Sequence, residues 1–309
     1  MAGVEFVKVK SVDEGMRLNR WFMKYYPGLG IGRLNKLLRT KQVKVDGKKT
    51  EANFKLSEGQ EVRVPPLDNE KAEIKKDAVS KKDAEFILSM VVYRDANLIV
   101  LNKPSGIAVQ GGSNTNFHID GMLDALKFGN EERPKLVHRI DKDTSGILVL
   151  ARTREFAEKL TKAFKEHSLE KTYLAFVYGV PKRQRGEIDA SLEKVGERVH
   201  AVEDGKKAVT SYRVLDSVGD RFSLIEAKPL TGRTHQIRAH MEYIGTPIVG
   251  DRKYFLGERR KNELFSDKLH LHAYKIDLSC LYKSKLEIKV SVPQYFDESL
   301  KTVGINFKE

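Results

Sequence analysis

The segment His138-Arg139-Ile140-Asp141-Lys142-Asp143-Thr144-Ser145-Gly146 puts the ionisable side chains His138, Arg139, Asp141 and Asp143 within six positions, directly before the apolar run Ile147–Ala151. Two carboxylates where a loop enters a buried strand, flanked by Arg139 and Lys142, can be kept ionised by opposite charge and so serve as nucleophile or general base. The same composition suits a charged surface turn. A second segment, Leu230-Thr231-Gly232-Arg233-Thr234-His235-Gln236-Ile237-Arg238-Ala239-His240, follows another strand-like run, Phe222–Ala227. Here Thr234 is the expected N-cap, Ile237, Met241 and Ile244 share one helical face, and Gly245 suits the stop. Arg238 lies beside that face, between His235 and Glu242. It either turns toward a site or pairs with Glu242 on the surface.

These residues admit other chemistries. Asp141, Asp143, His235, His240, His270 and His272 could supply a metal-dependent hydrolase, and the i, i+2 pair His270 and His272 shares one strand face. No HExxH or comparable ligand run accompanies them. An RNA-binding assembly factor without chemistry is the other alternative.

The elements that must hold these segments read as a mixture. Strand-like runs fall at 91–93, 98–101, 147–150, 173–178 and 222–227, and a helical spacing joins Ala157, Leu160 and Phe164. This predicts an α+β fold with a mixed, largely antiparallel sheet over residues 85–309. Residues 67–84 are rich in Lys, Glu and Asp and read as a charged linker.

Before the linker, residues 1–66 form a basic unit. Arg17, Arg20, Lys24, Arg33, Lys36, Arg39, Lys41, Lys44, Lys48, Lys49 and Lys55 face only Asp46 and Glu51 over residues 17–55, which holds most of the chain's net charge of +13. Such clustering suits a surface that neutralises phosphates and releases their counterions. Leu18, Trp21, Phe22 and Tyr25 predict one helix and Leu34, Leu37 and Leu38 a second, with Arg33 and Lys36 on the side away from the leucines. Val43-Lys44-Val45 running into Asp46-Gly47 predicts a hairpin.

Of the 309 residues, 40% are hydrophobic, and the longest apolar run, Tyr173–Tyr178, is far shorter than the ~20 residues of a membrane helix. The N-terminal MAGVEFVKVK contains no signal-peptide core, and the lone Cys280 supports neither an internal disulfide nor a thiolate metal site. A cytoplasmic protein with no membrane association is expected.

The run GRLNKLLRTKQVKVDGKK, with Glu58-Gly59 and Val62-Arg63-Val64 after it, resembles the S4 family of RNA-binding domains over residues 16–66. The series LIVLNKPSG, HRIDKDTSGILVLA, KTYLAFVYG, PLTGRTHQIRAH and PIVGDRKY, spanning residues 90–255 in family order, resembles the RluA-type pseudouridine synthases. With an S4-like module in front, the chain is most similar to the ribosomal large-subunit pseudouridine synthase C subgroup.

This resemblance implies isomerisation of RNA uridines, most naturally in large-subunit rRNA, without cofactor or metal. The target would be flipped out of its stem. The family's essential aspartate falls on Asp141, its tyrosine on Tyr173 and its basic residue on Arg238, which would hold Asp141 deprotonated and aimed. Asp141 would either attack C1′ or accept the C2′ proton. Arg139 would contact the extruded nucleotide or fill the vacated space. Ile237, Arg233 and His235 are the further substrate-binding candidates, and Arg33, Lys36, Arg39, Lys41 and Lys44 the RNA contacts of the S4-like unit. Ile140 replaces the usual leucine, and Phe255 follows Tyr254 where glycine is common. A monomer without obligatory protein partner suffices for this chemistry.

Overall fold

The computed structural model describes residues 3–26, 28–67, 79–111, 117–255 and 264–307. The chain divides into two compact units, Met1–Ala78 and Val79–Glu309.

The first unit contains β1 (Glu5–Lys8), α1 (Leu18–Tyr25), α2 (Ile31–Arg39), β2 (Lys44–Val45) and β3 (Glu61–Val64), with the strands in the order β1-β3-β2. Leu18, Trp21 and Phe22 of α1 and Leu34 and Leu38 of α2 are buried with Val43, Val45, Leu56, Val62 and Val64 in one core, as their spacing predicts. Asp46 and Gly47 both take positive φ, 49° and 72°, and Val45 and Lys48 bridge across them, so the predicted tight turn forms. The sheet partner of β2, however, is the distant β3. Asp46 favours that pairing by accepting hydrogen bonds from the Glu61 amide (2.8 Å) and from Gln60 Nε2 (2.9 Å). Arg33, Lys36, Arg39 and Lys41 are exposed and Lys44 is half-buried on β2.

The linker expected at 67–84 falls largely on residues outside those described, and its last four residues open a helix instead. Ser80 caps α3 (Lys81–Ser89) by accepting from the Asp83 amide. The remaining elements are β4 (Val91–Arg94), β5 (Leu98–Lys103), α4 (Ile119–Met122), β6 (Lys135–Leu136), β7 (Ser145–Ala151), α5 (Arg154–Lys165), β8 (Glu170–Tyr178), β9 (Arg185–Asp189), β10 (Leu192–Val195), β11 (Arg198–Ala201), β12 (Val209–Val218), β13 (Phe222–Pro229), α6 (Gln236–Tyr243), β14 (Leu271–Asp277), β15 (Glu287–Lys289) and α7 (Gln294–Thr302).

The main sheet runs β4-β5-β7-β14-β8-β13-β12-β9, with β6 beside β7 and β15 beside β14. Every pairing in it is antiparallel except β7 with β14. The fold is therefore α+β with a mixed, largely antiparallel sheet, as expected. Both faces of its centre are covered. On β5 and β7, Leu98, Val100, Ile147 and Val149 join Phe156 and Leu160 of α5, while Ile99, Leu101, Leu148 and Leu150 join Ile87 of α3 and Ile119 of α4. Burial on both faces explains why these strands read as unbroken apolar runs.

The parallel seam requires glycine at one point. Gly146 has φ +104°, and a Cβ there would lie 2.3 Å from the Ala273 carbonyl oxygen of β14. Gly146→Ala should separate β7 from β14 and destabilise the unit by ~1–3 kcal/mol or more. Thermal denaturation monitored by circular dichroism checks this; an unchanged Tm would contradict it.

Candidate active site

One register line crosses the middle of the sheet through Lys103, Gly146, Ala273, Tyr173, Ala227 and Tyr212. The loop entering β7 carries Asp141 to this line, and the turn leaving β13 carries α6 and Arg238. The two segments, 97 residues apart, meet there: Arg238 Nη1 lies 3.5 Å from Asp141 Oδ2. A cavity of about 450 Å³ opens beside them, large enough for a nucleoside. Its walls include Arg139, Asp141, Tyr173, Arg233, His235, Ile237 and Arg238, so all seven residues singled out from the sequence line one cavity. An adjoining cleft shares Arg139, Ile140, Asp141, Gly232 and Arg233 and adds Lys142 and Gln110.

Arg238 is buried, 3% exposed, and does not pair with Glu242, which instead binds Arg198 at 2.7 Å. Asp251, also buried, takes Arg238 in a two-pronged pair, with Nε to Oδ2 and Nη2 to Oδ1 both at 2.7 Å. Oδ1 further accepts from the amides of Lys253 (2.9 Å) and Tyr254 (3.1 Å). The Nε–Nη2 edge of the guanidinium is thus committed, and Nη1 is the nitrogen directed at Asp141. The Tyr254 ring lies under Arg238, 5.1 Å from Cζ to centroid.

Thr234 is not the N-cap of α6. His235 holds that position with φ +52°, a left-handed conformation costly for a residue with a Cβ. His235 makes no side-chain capping bond, and the Gln236 side chain instead braces the turn before the helix: its Oε1 accepts from the Arg233 amide (3.0 Å) and the Thr231 hydroxyl (2.7 Å). The left-handed turn brings His235 Nε2 to 3.8 Å from Asp141 Oδ2. Burial lowers the pKa of His235, partly opposed by Asp141, and burial raises that of Tyr254. The Tyr254 hydroxyl and His235 Nδ1 share a hydrogen bond of 3.0 Å, and Nε2 is the ring nitrogen that faces Asp141. The Tyr254 oxygen in turn accepts from the Val199 amide at 2.9 Å. Burial, reinforced by the Asp141 charge, raises the pKa of Tyr173, whose phenol stays neutral.

His138 is a positioning group of the loop. Its Nε2 accepts from the Val149 amide of β7 (2.8 Å), and its ring stacks on Phe164 at 4.2 Å between centroids. Burial pushes its pKa down to about 3, so it is neutral. Lys103 anchors the same loop from below. Wholly buried, its Nζ donates to the carbonyls of Pro104, Ile107 and Lys142, each at 3.0 Å. Burial lowers its pKa to about 7, opposed by the charges of Asp143 and Asp141. Ser105 Oγ adds a bond to the Asp143 carbonyl at 2.6 Å.

The histidines of the metal reading are dispersed. His240 bonds Thr210 and Ala190, His270 bonds Val249 and Ser299, and His272 bonds Ser145 and Val290. Among the described residues no three His, Cys, Asp or Glu side chains converge as a metal-binding group.

Comparison with known proteins agrees with this geometry. Residues 97–243 match the family model described as RNA pseudouridylate synthase. The ribosomal large subunit pseudouridine synthase C of Rickettsia bellii is 37% identical over 294 residues, covering 91% of this chain and 96% of that protein. The chain belongs to the RluA-type RNA pseudouridine synthases. Among other members, the mitochondrial RNA pseudouridine synthase 4 of Arabidopsis thaliana is 39% identical, covering 83% of this chain and 64% of that protein. The solved human RNA pseudouridylate synthase domain containing 4 superposes with a TM-score of 0.63 at 28% identity, covering 73% of this chain and 97% of that one. In this pseudouridine synthase, sequence reasoning missed Asp251, Tyr254 and Lys103. All three lie inside the motif strings PIVGDRKY and LIVLNKPSG, and a lysine closing the apolar run Leu98–Leu101 is itself a signal of a buried, partnered cation.

Proposed function

We propose that this enzyme isomerises specific uridines of large-subunit ribosomal RNA, with Asp141 as the catalytic carboxylate. The observation that carries the reading is the meeting of Asp141 with Nη1 of Arg238, whose Nε and Nη2 are held by Asp251, beside a nucleoside-sized cavity that Tyr173 also lines. Asp141 engages the ribose, at C1′ as nucleophile or at C2′–H as base; the N1–C1′ bond breaks, the uracil turns within the cavity, C5 bonds C1′, and the C5 proton is lost while N1 gains one. Tyr173 and Ile237 provide the flat and apolar walls that retain the detached base. Arg139, exposed where cavity and cleft adjoin, meets the flipped nucleotide. In this reading side chains alone carry the reaction, without metal or coenzyme, in a cytoplasmic monomer. Among the described residues no helix is long and apolar enough to cross a membrane. The large-subunit target rests on the names of the bacterial relatives, which align over nearly their whole length. Mapping pseudouridines in cellular RNA with and without the protein tests the reading: sites lost only from transfer RNA would refute the ribosomal target.

The basic first unit, read as an S4-like domain over residues 1–66 ahead of a linker at 67–84 and a catalytic domain at 85–309, contributes phosphate contacts. Its α2 buries Leu34 and Leu38 and leaves Arg33, Lys36 and Arg39 at the surface, followed by Lys41 and Lys44. Reversing the charge of Arg33, Lys36 and Arg39 together should weaken binding of ribosomal RNA and flatten its dependence on salt, by ~0.7–0.9 in slope for each phosphate no longer neutralised. Filter binding across a salt series measures both; unchanged affinity and slope would remove this unit from the RNA interface.

A further inference from the structure

The cavity has a second basic end that the reaction at Asp141 does not use. Lys171 lies two residues before Tyr173 on β8, so the two side chains project from the same sheet face, and both line the cavity. Lys171 is half-buried, yet among the described residues it has no carboxylate partner and no side-chain hydrogen bond. Its neighbour Glu170 points to the other face and binds Lys228 at 2.7 Å. Burial alone lowers the pKa of Lys171, with no acidic group opposing it.

More positive charge surrounds it. Lys171 and Arg233 both depress the pKa of His167, which burial lowers first, so the three groups are neighbours. His167 sits at φ +56° just beyond α5, and its Cε1 approaches the Gly232 position to 3.6 Å. The segment after α5 is thereby held against the turn that carries Arg233. Arg233 spends its Nε on the Lys207 carbonyl at 3.0 Å, which fixes the guanidinium while leaving its terminal nitrogens available. Lys165, at the end of α5, completes the rim.

A partly desolvated ammonium without an anion is costly unless an anion arrives with the ligand. A flipped nucleotide brings two, the phosphodiesters on either side of its ribose. We propose that Lys171, with Arg233 and His167, forms a subsite for one phosphodiester flanking the extruded nucleotide. The inference rests on the uridine-isomerising reading, and it adds a specific anchor: while the uracil is detached and turning, the ribose is held through its phosphate as well as through Asp141.

The test is a cycle between protein and RNA. Hairpins containing a uridine that the wild-type protein isomerises are synthesised with a neutral methylphosphonate at the linkage 5′ or 3′ to it. Wild-type and Lys171→Met proteins are compared on all three RNAs, by turnover and by equilibrium binding. Lys171→Met should raise KM about tenfold on the unmodified hairpin, as expected when one charge-assisted hydrogen bond is removed. It should lower the salt slope of binding by ~0.7. One methylphosphonate should cost the wild-type protein a similar factor and cost Lys171→Met nothing further, while Lys171→Arg should retain wild-type behaviour. Equal methylphosphonate penalties in wild-type and Lys171→Met proteins, in KM and in Kd, would overturn the subsite. Because Kd is read without turnover, that outcome is distinct from failure of the isomerase reading, which wild-type turnover on the unmodified hairpin reports.

Discussion

Asp141→Asn should abolish pseudouridine formation while leaving RNA binding and folding intact. The substitution removes the one carboxylate that lies between the cavity and Arg238 Nη1. A group acting on the reacting atoms is worth ~10²–10⁴-fold, and among the described residues no second carboxylate lines the cavity to substitute for it. Folding is insulated because Arg238 keeps its two 2.7 Å bonds to Asp251, so the substitution weakens only the partly exposed pairings of Asp141 with Arg238 (3.5 Å) and His235 (3.8 Å). RNA affinity is carried by phosphate contacts elsewhere and should change by no more than about twofold. Release of tritium from [5-³H]uridine RNA measures turnover, and gel shift measures affinity. Turnover within tenfold of wild type would remove Asp141 from the chemistry; an affinity loss matching the turnover loss would make it a binding residue only.

The second large effect belongs to Asp251. Asp251→Ala strands a buried guanidinium and two backbone amides at once, and breaking such a pair from one side costs ~3–5 kcal/mol. For a unit of this size the expected fall in Tm is about 10 °C. The double variant Asp251→Ala with Arg238→Met removes both charges and should recover much of that stability, since neither partner is left uncompensated. Activity should not return, because no guanidinium then faces Asp141. Recovery of both stability and activity would show that Arg238 serves packing alone. Asp251→Asn, which keeps size and one acceptor, should fold better than Asp251→Ala and lower kcat more than it raises KM, as expected when Arg238 is misaimed by a fraction of an ångström.

The candidate catalytic cluster was legible wherever the chain is locally informative. Ionisable side chains crowding into strand entries stood out at Asp141, and the helical spacing of Ile237 and Met241 placed Arg238 beside a buried face. The alternation of β5 and β7 was hidden because both faces are covered, yet the resulting apolar runs still marked them as strands. What stayed hidden was partnership over distance. Asp251 sits in a turn 13 residues from Arg238, where no periodicity couples a carboxylate to a helix residue, and Glu242 at i+4 offered a nearer but unused alternative. The left-handed His235 was equally invisible, since a Thr before a helix reads as a cap unless the site demands that the next residue turn inward. The partner of β2 was missed for a similar reason: local turn chemistry specified Asp46-Gly47, but the sheet register was decided by the remote strand Glu61–Val64.

The order of strands carries a temporal meaning. β7 and β8 are neighbours along the chain but not in the sheet; β14, made more than ninety residues after β8 ends, is inserted between them. Until Leu271–Asp277 has been synthesised, the half bearing Asp141 and the half bearing Tyr173 and Arg238 have no common ladder to align them. The two walls of the cavity therefore come from halves of the sheet that only a strand made late in synthesis can join, as the keystone between them.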